Sequence, residues 1–138
     1  MSAKWFIDTN VLLYLYSADT AKADRAETVV AAGGVISVQV LNEFAAVALR
    51  KLGMSWTEIT EALDVIRAVC TVEPLTVETH DRGKALAIRH GFSVYDAMIV
   101  AAALIAGADT LYSEDLQDGL RVERALTIQN PFTTGASR

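Results

Sequence analysis

Cysteine occurs once in this chain of 138 residues, as Cys70, so neither an internal disulfide nor a Cys-based zinc site can form. A reducing compartment is the natural setting. Two prolines and eight glycines are too few for a collagenous or low-complexity chain. Long apolar runs are also missing. The longest, Ala97 to Ala108, lies between Asp96 and Asp109 and is too short to span a bilayer. At the N-terminus Asp8 interrupts Trp5-Phe-Ile before a signal-peptide apolar region can develop. No G-x-x-x-x-G-K-[S/T] or G-x-G-x-x-G segment is present, which removes support for nucleotide-binding folds of those kinds. No serine lies in a G-x-S-x-G elbow, the commonest hydrolase alternative. Only two histidines occur, His80 and His90, among Asp81, Arg82, Lys84 and Arg89, and they read as solvated face rather than metal ligands. These absences leave a soluble, cytoplasmic globular domain with no membrane segment.

What is present fits one ordinary domain over residues 1–138. A 52% hydrophobic and 21% charged composition excludes intrinsic disorder. The formal charge is −5, from 12 Lys+Arg against 17 Asp+Glu. That balance does not favour tight non-specific binding to nucleic acid, which relies on cations neutralising phosphates. Acids that converge in one cleft would instead make a cation site.

Short apolar runs alternate with helical stretches. Strands are predicted at Trp5-Phe-Ile, Val35 to Val38, Thr71 to Leu75, Asp109 to Ser113 and Leu126 to Gln129. Helices are predicted at Val11 to Tyr16, Asp19 to Ala32, Gln39 to Leu52, Ser55 to about Val69, Thr79 to His90 and Ser93 to Ala106. Ser55-x-x-Glu58 is a capping box. This alternation predicts an α/β fold with a central, mainly parallel sheet of four to five strands, covered by helices on both faces. In such sheets ligands bind beyond the carboxyl ends of the strands, near the point where strand order reverses.

Four acids stand out against that frame. Asp8 follows the first strand and can cap the next helix. Asp115, in Ser113-Glu-Asp-Leu-Gln-Asp118, follows the fourth strand; its plain reading is a helix first turn, and Glu114 or Asp118 can take its place. Glu43 lies between Val40 and Val47 on an apolar helical stripe, where a carboxylate needs a proton, a cation or a partner such as Arg50. Asp96 fits a capping box with Ser93, yet opens a helix made almost wholly of Ala, Met, Ile, Val and Leu. Clustered carboxylates repel unless protonated or bound to a cation, and oxygen-only ligation suits Mg²⁺ or Mn²⁺.

Phe6-Ile-Asp-Thr-Asn10-Val-Leu-Leu resembles the opening motif of PIN-domain ribonucleases. The resemblance continues through Asn42-Glu43-Phe44, Phe92-Ser-Val-Tyr-Asp96-Ala-Met-Ile-Val-Ala-Ala-Ala and Leu111-Tyr-Ser113-Glu-Asp115-Leu. It spans nearly the whole chain, and within that family it is nearest in kind to VapC toxins of toxin–antitoxin pairs. The resemblance implies a three-layer α/β/α fold and an acidic site of Asp8, Glu43, Asp96 and Asp115. Asn10 and Ser113 would lend polar support, with Asp118 as the alternative fourth acid. Ser113 stands where many members carry Thr, which keeps the hydroxyl. The implied activity is Mg²⁺- or Mn²⁺-dependent endoribonuclease, with RNA as substrate and a small, VapB-like, DNA-binding antitoxin as partner. Exposed apolar residues such as Trp56 suggest a homodimer. Arg25, Arg50, Lys51 and Arg82 are candidate RNA contacts that a linear string does not rank. Competing readings are a PIN nuclease of RNA processing and a catalytically silent PIN-like binding module. A phosphatase on a similar sheet would need Asp-x-Asp where this chain has Asp8-Thr-Asn10.

Overall fold

The structure, a computed structural model, describes residues 4–133. Strand β1 (Trp5–Ile7) leads into the short helix α1 (Thr9–Leu13), a 3₁₀ turn over Tyr14–Tyr16, and α2 (Thr20–Ala31). Next come β2 (Gly34–Ser37), α3 (Val38–Lys51), α4 (Trp56–Val69), β3 (Cys70–Glu73), α5 (Val77–His90) and α6 (Val94–Ile105). Strands β4 (Thr110–Tyr112), β5 (Arg121–Val122) and β6 (Leu126–Gln129) complete the described chain. The order across the sheet is β3-β2-β1-β4-β6-β5. All pairings are parallel except β5 with β6. The six strands exceed the expected four to five by β5, whose two residues carry no periodicity to read.

Strands β1 and β2 are buried along most of their length on both faces, as their apolar runs require, while β3 and β5 carry exposed residues towards the edges of the sheet. Phe6, Ile7, Ile36, Leu111, Leu126 and Ile128 are all fully buried. Each contributes on the order of 2 kcal/mol from removing its side chain from water. The helices end where local chemistry ends them. Ser55 and Glu58 close the predicted capping box at α4, and Gly91, at φ 76°, terminates α5 in the left-handed conformation. Alpha-helix α6 is buried along Ala97–Ala103, where small side chains let it approach its neighbours. A Cβ at Gly83 of α5 would meet the Met98 terminal methyl, so this glycine sets how closely α5 seats α6. No single helix among the described residues is long and apolar enough to cross a membrane.

The chain runs from β1 outward through β2 to β3, then returns to the other side of β1 as β4. Strand order therefore reverses between β1 and β4. The backbone N–H of Asp8 donates to Tyr112 O at 3.0 Å there, bringing the exits of both strands together.

Candidate active site

Asp8 stands at this reversal point and is 3% exposed. Its two oxygens are used differently. Oδ1 accepts from the Thr9 backbone N–H at 2.7 Å, which is the capping bond of α1. Oδ2 accepts from Ser113 Oγ at 2.8 Å and from Asn10 Nδ2 at 3.1 Å. Capping and site membership are thus held by one carboxylate at once. Burial, with smaller contributions from the charges of Asp96 and Glu43, raises its pKa from 3.8 to about 7, against the opposing hydrogen bonds from Ser113 and Thr9.

Asn10 joins the strand exits. Its Nδ2 also donates to Asp115 Oδ2 at 3.2 Å, and its Oδ1 accepts from the Glu114 N–H at 3.0 Å. Ser113, fully buried, accepts from Leu116 N–H at 3.2 Å while donating to Asp8. Residues 114–116 form bends, so Asp115 is not in the first turn of a helix. Asp118 does not join the other acids. It emerges beside β6, where its Oδ1 accepts from Asn130 N–H at 2.8 Å. Glu114 is likewise occupied elsewhere, by Lys22 Nζ at 2.6 Å and the Tyr14 hydroxyl.

Glu43 is half-buried on α3 and does not pair with Arg50, whose Nε donates to Ala46 O. Thr9 Oγ1 donates to Glu43 Oε1 at 3.0 Å, and Gln39 Nε2 donates to Oε2 at 2.9 Å. Asp96 lies in the first turn of α6. The cap there is made by Ser93 Oγ accepting from the Asp96 backbone N–H at 3.1 Å. Burial, then the charges of Glu43 and Asp115, raise the Asp96 carboxyl above its usual range, with the Ser93 hydroxyl opposing. These mutual influences bring Asp8, Glu43, Asp96 and Asp115 into one electrostatic neighbourhood. The only ion pairs among the described residues are Lys22–Glu114 and Arg82–Glu123, so no cationic side chain neutralises the four.

Gln39 and Thr9 carry no independent signal in the sequence, although Gln39 sits four residues before Glu43 on the same helical face. His80 is exposed, as expected of a solvated face. His90 is not: it stacks on Phe92 with centroids 5.2 Å apart, and its Nε2 is buried without a partner. Neither contacts the acids by a hydrogen bond.

The donor set is oxygen-only, which fits Mg²⁺ or Mn²⁺ better than zinc or copper. As the side chains stand, no three acids or histidines among the described residues converge closely enough to enclose an ion. The fit is therefore to an ion that keeps most of its waters and takes one or two carboxylates, the usual habit of Mg²⁺. Beside the acids, a cleft of about 380 Å³ is lined by Leu13, Tyr14, Tyr16 and Leu52 together with Asn10 and Asp115.

The PIN domain family model matches residues 5–120, which contain all four acids and both strand exits. The chain belongs to the PIN domain family. No curated protein matches it in sequence. Among solved structures, the PIN fold seen here is similar to the toxin–antitoxin complex from Klebsiella pneumoniae (TM-score 0.71, 19% identity, covering 95% of this chain and 98% of that one). It is also similar to VapC20 of Mycobacterium tuberculosis, described as a sarcin–ricin loop cleaving toxin (TM-score 0.68, 23% identity, 81% and 90% covered). VapBC2 from Rickettsia felis, bound to a DNA fragment from its promoter, is similar over 91% of this chain and 98% of that one (TM-score 0.64, 18% identity). At these identities the likeness is one of fold.

Proposed function

We propose that this PIN domain is a metal-dependent endoribonuclease acting in the cytoplasm as the toxin of a toxin–antitoxin pair. The observation that carries the reading is the group of four acids at the sheet's reversal point with no cationic side chain among the described residues paired to them. Asp8 and Asp96 would hold Mg²⁺ or Mn²⁺, with Glu43 and Asp115 completing the site through bound waters or a second metal. When bound, the ion supplies charge neutralisation at the scissile phosphate and acidifies a water. The protein's own contribution is orientation. Ser113 and Asn10 fix the Asp8 carboxylate, and Asn10 ties Asp115 to it. Glu43, steadied by Thr9 and Gln39, is a candidate to take the proton of the attacking water. A silent binding module would have no use for like charges held together, which is why the nuclease reading is preferred.

The toxin role draws support from the family membership and from the toxin–antitoxin complexes that share the fold. The partner would be a small, VapB-like, DNA-binding antitoxin. Its apolar anchors would fill the cleft beside Tyr14 and Tyr16, and an Arg or Lys would reach the acids. A homodimer is proposed from exposed apolar side chains, including Trp56 at 61% and Ile88 at 80%. The test is expression of the chain alone and together with the neighbouring small open reading frame. Growth arrest relieved by co-expression, with a co-purified complex, is expected. Intact RNA cleavage by a chain that is harmless in cells would overturn the toxin role in favour of RNA processing.

A further inference from the structure

Around the acids the described residues offer no paired cation, yet a nuclease must hold phosphates on either side of the bond it cuts. A second cleft, of about 430 Å³, opens between the start of α2 and the segment after β6. Lys22 and Arg25 line it, three residues apart on one face of α2, with Phe132 opposite. Arg25 Nε donates to Pro131 O at 2.8 Å, which fixes the guanidinium at the rim. No carboxylate among the described residues pairs with it. Asp19, the acidic residue on this wall, is engaged in capping α2 through the Lys22 N–H. Phe132 packs edge-to-face on Tyr14 at 4.7 Å, and Lys22 Nζ lies 4.6 Å from the Tyr14 ring and 5.5 Å from that of Phe132. Lys22 is already paired with Glu114, which leaves Arg25 as the free cation of this cleft among the described residues and Phe132 as its aromatic ring. Single-stranded nucleic acid uses that combination, phosphate on the cation and base on the ring.

The cleft is connected to the acids by a short chain of bonds. Lys22 pairs with Glu114, the Glu114 N–H donates to Asn10 Oδ1, and Asn10 Nδ2 reaches both Asp8 and Asp115. We propose that this cleft is a nucleotide subsite flanking the scissile bond, with a phosphate of single-stranded RNA on Arg25 and its base against Phe132. The inference rests on the RNA-cleaving reading above and adds to it a direction: the strand leaves the acidic site past Tyr14 toward α2. Arg25 is singled out from the scattered basic residues because it lines the cleft that this path joins to the acids, and because it has no carboxylate partner among the described residues while Lys22 is paired with Glu114.

The experiment measures binding of a fluorescent, random-sequence single-stranded RNA, in Mg²⁺ and over a range of KCl, in the cleavage-deficient Asp96→Asn background. Single-strand binding weakens with salt by a slope of about 0.7 per phosphate contacted. Adding Arg25→Ala should lower the slope by about 0.7, whereas Arg25→Lys should keep it. An unchanged slope with Arg25→Ala overturns the subsite. So does an equal loss with Arg25→Lys, which would mark a role only through the Pro131 carbonyl. If Arg25→Ala weakens the antitoxin complex but leaves the RNA slope unaltered, the cleft belongs to the protein partner and the proposal fails. Cleavage by the Asp96 parent, assayed separately, distinguishes the levels: cleavage with no Arg25 dependence of binding removes the subsite alone, and absence of both cleavage and binding removes the nuclease reading with it.

Discussion

Replacing Asp8 with Asn should change how stability depends on pH, in a way that can be worked out from the site. In the folded protein the Asp8 carboxyl is raised from 3.8 to about 7. Below the lower value both folded and unfolded chains carry the proton, and Asp8 is neutral in the comparison. Between the two values the unfolded chain releases the proton while the folded chain retains it, so stability falls as pH rises. Above about 7 both are ionised and the loss is complete. At about 1.4 kcal/mol per pKa unit, the ceiling on that loss is roughly 4 kcal/mol. The amide of Asp8→Asn cannot ionise and removes this fall. It has its own cost, since its nitrogen would face Asn10 Nδ2, a donor against a donor, worth about 1–3 kcal/mol at every pH. The stability curves of parent and variant should therefore converge or cross as pH rises from 4 to 8. Urea unfolding in EDTA measures both curves. Parallel curves would refute the burial of an ionisable Asp8 as its chief perturbation. In saturating Mg²⁺ at pH 8 the parent should regain stability, by about 2.7 kcal/mol at a hundredfold excess over Kd, and the variant should not.

Asp96→Asn should abolish Mg²⁺-dependent RNA cleavage and leave the circular dichroism spectrum intact, because the α6 cap uses its backbone N–H and not its carboxylate. Loss of activity together with unfolding would favour a purely structural Asp96. Gly34→Ala should destabilise by about 2 kcal/mol, read by thermal melting: φ is 148°, and a Cβ would sit 2.8 Å from Trp5 Nε1, which is itself bonded to Gly33 O. Gln39→Leu should reduce kcat with little change in melting temperature, since it frees Glu43 Oε2 from its one bond and leaves a buried apolar side chain on α3. Sedimentation at micromolar concentration should give the mass of a dimer, and a strictly monomeric mass would remove that expectation.

Much of the architecture was legible because its signals are local. Trp5-Phe-Ile is too apolar and too short to be anything but a buried strand, and Ser55-x-x-Glu58 closes the box it announces. Asp8 and Asp96 were recoverable as site candidates for the opposite reason, being charges at positions where the surrounding residues are apolar. What failed to show was whatever depends on the tertiary path. Asp115 and Asp118 are equivalent in a linear string, and only the tight bend after β4 assigns Asp115 to Asn10 and Asp118 to Asn130. His90 looked solvated among charged neighbours, but the turn at Gly91 brings Phe92 back over its ring. The two-residue strand β5 exists only because β6 is there to pair with it.

The position of Asp8 bears on whether the acids do chemistry or merely bind. A cap for α1 needs one acceptor, and an Asn, Ser or Thr supplies it without charge. Here the second oxygen is held by two further donors in a fully desolvated position, and the carboxyl is still pushed up to about 7. The hydrogen bonds therefore do not offset burial and the nearby acids. A few kcal/mol surrendered at neutral pH is a large share of the 5–15 kcal/mol that holds a typical domain together. A binding surface gains nothing from that loss, since its contacts could be made by neutral groups. A site that must draw in a divalent cation does gain, because the arriving ion offsets the burial that chiefly raises Asp8 and the smaller repulsion from Asp96 and Glu43, and that relief adds to its affinity. The prediction that follows is thermodynamic and needs no substrate. Mn²⁺ binding, followed by calorimetry, should be accompanied by proton release near pH 6.5 and by almost none at pH 8.5, where Asp8, raised to about 7, is already ionised. Proton release that is equal at both pH values would mean that Asp8 is not held protonated by its burial, and the argument from a carboxyl raised at the site would fall.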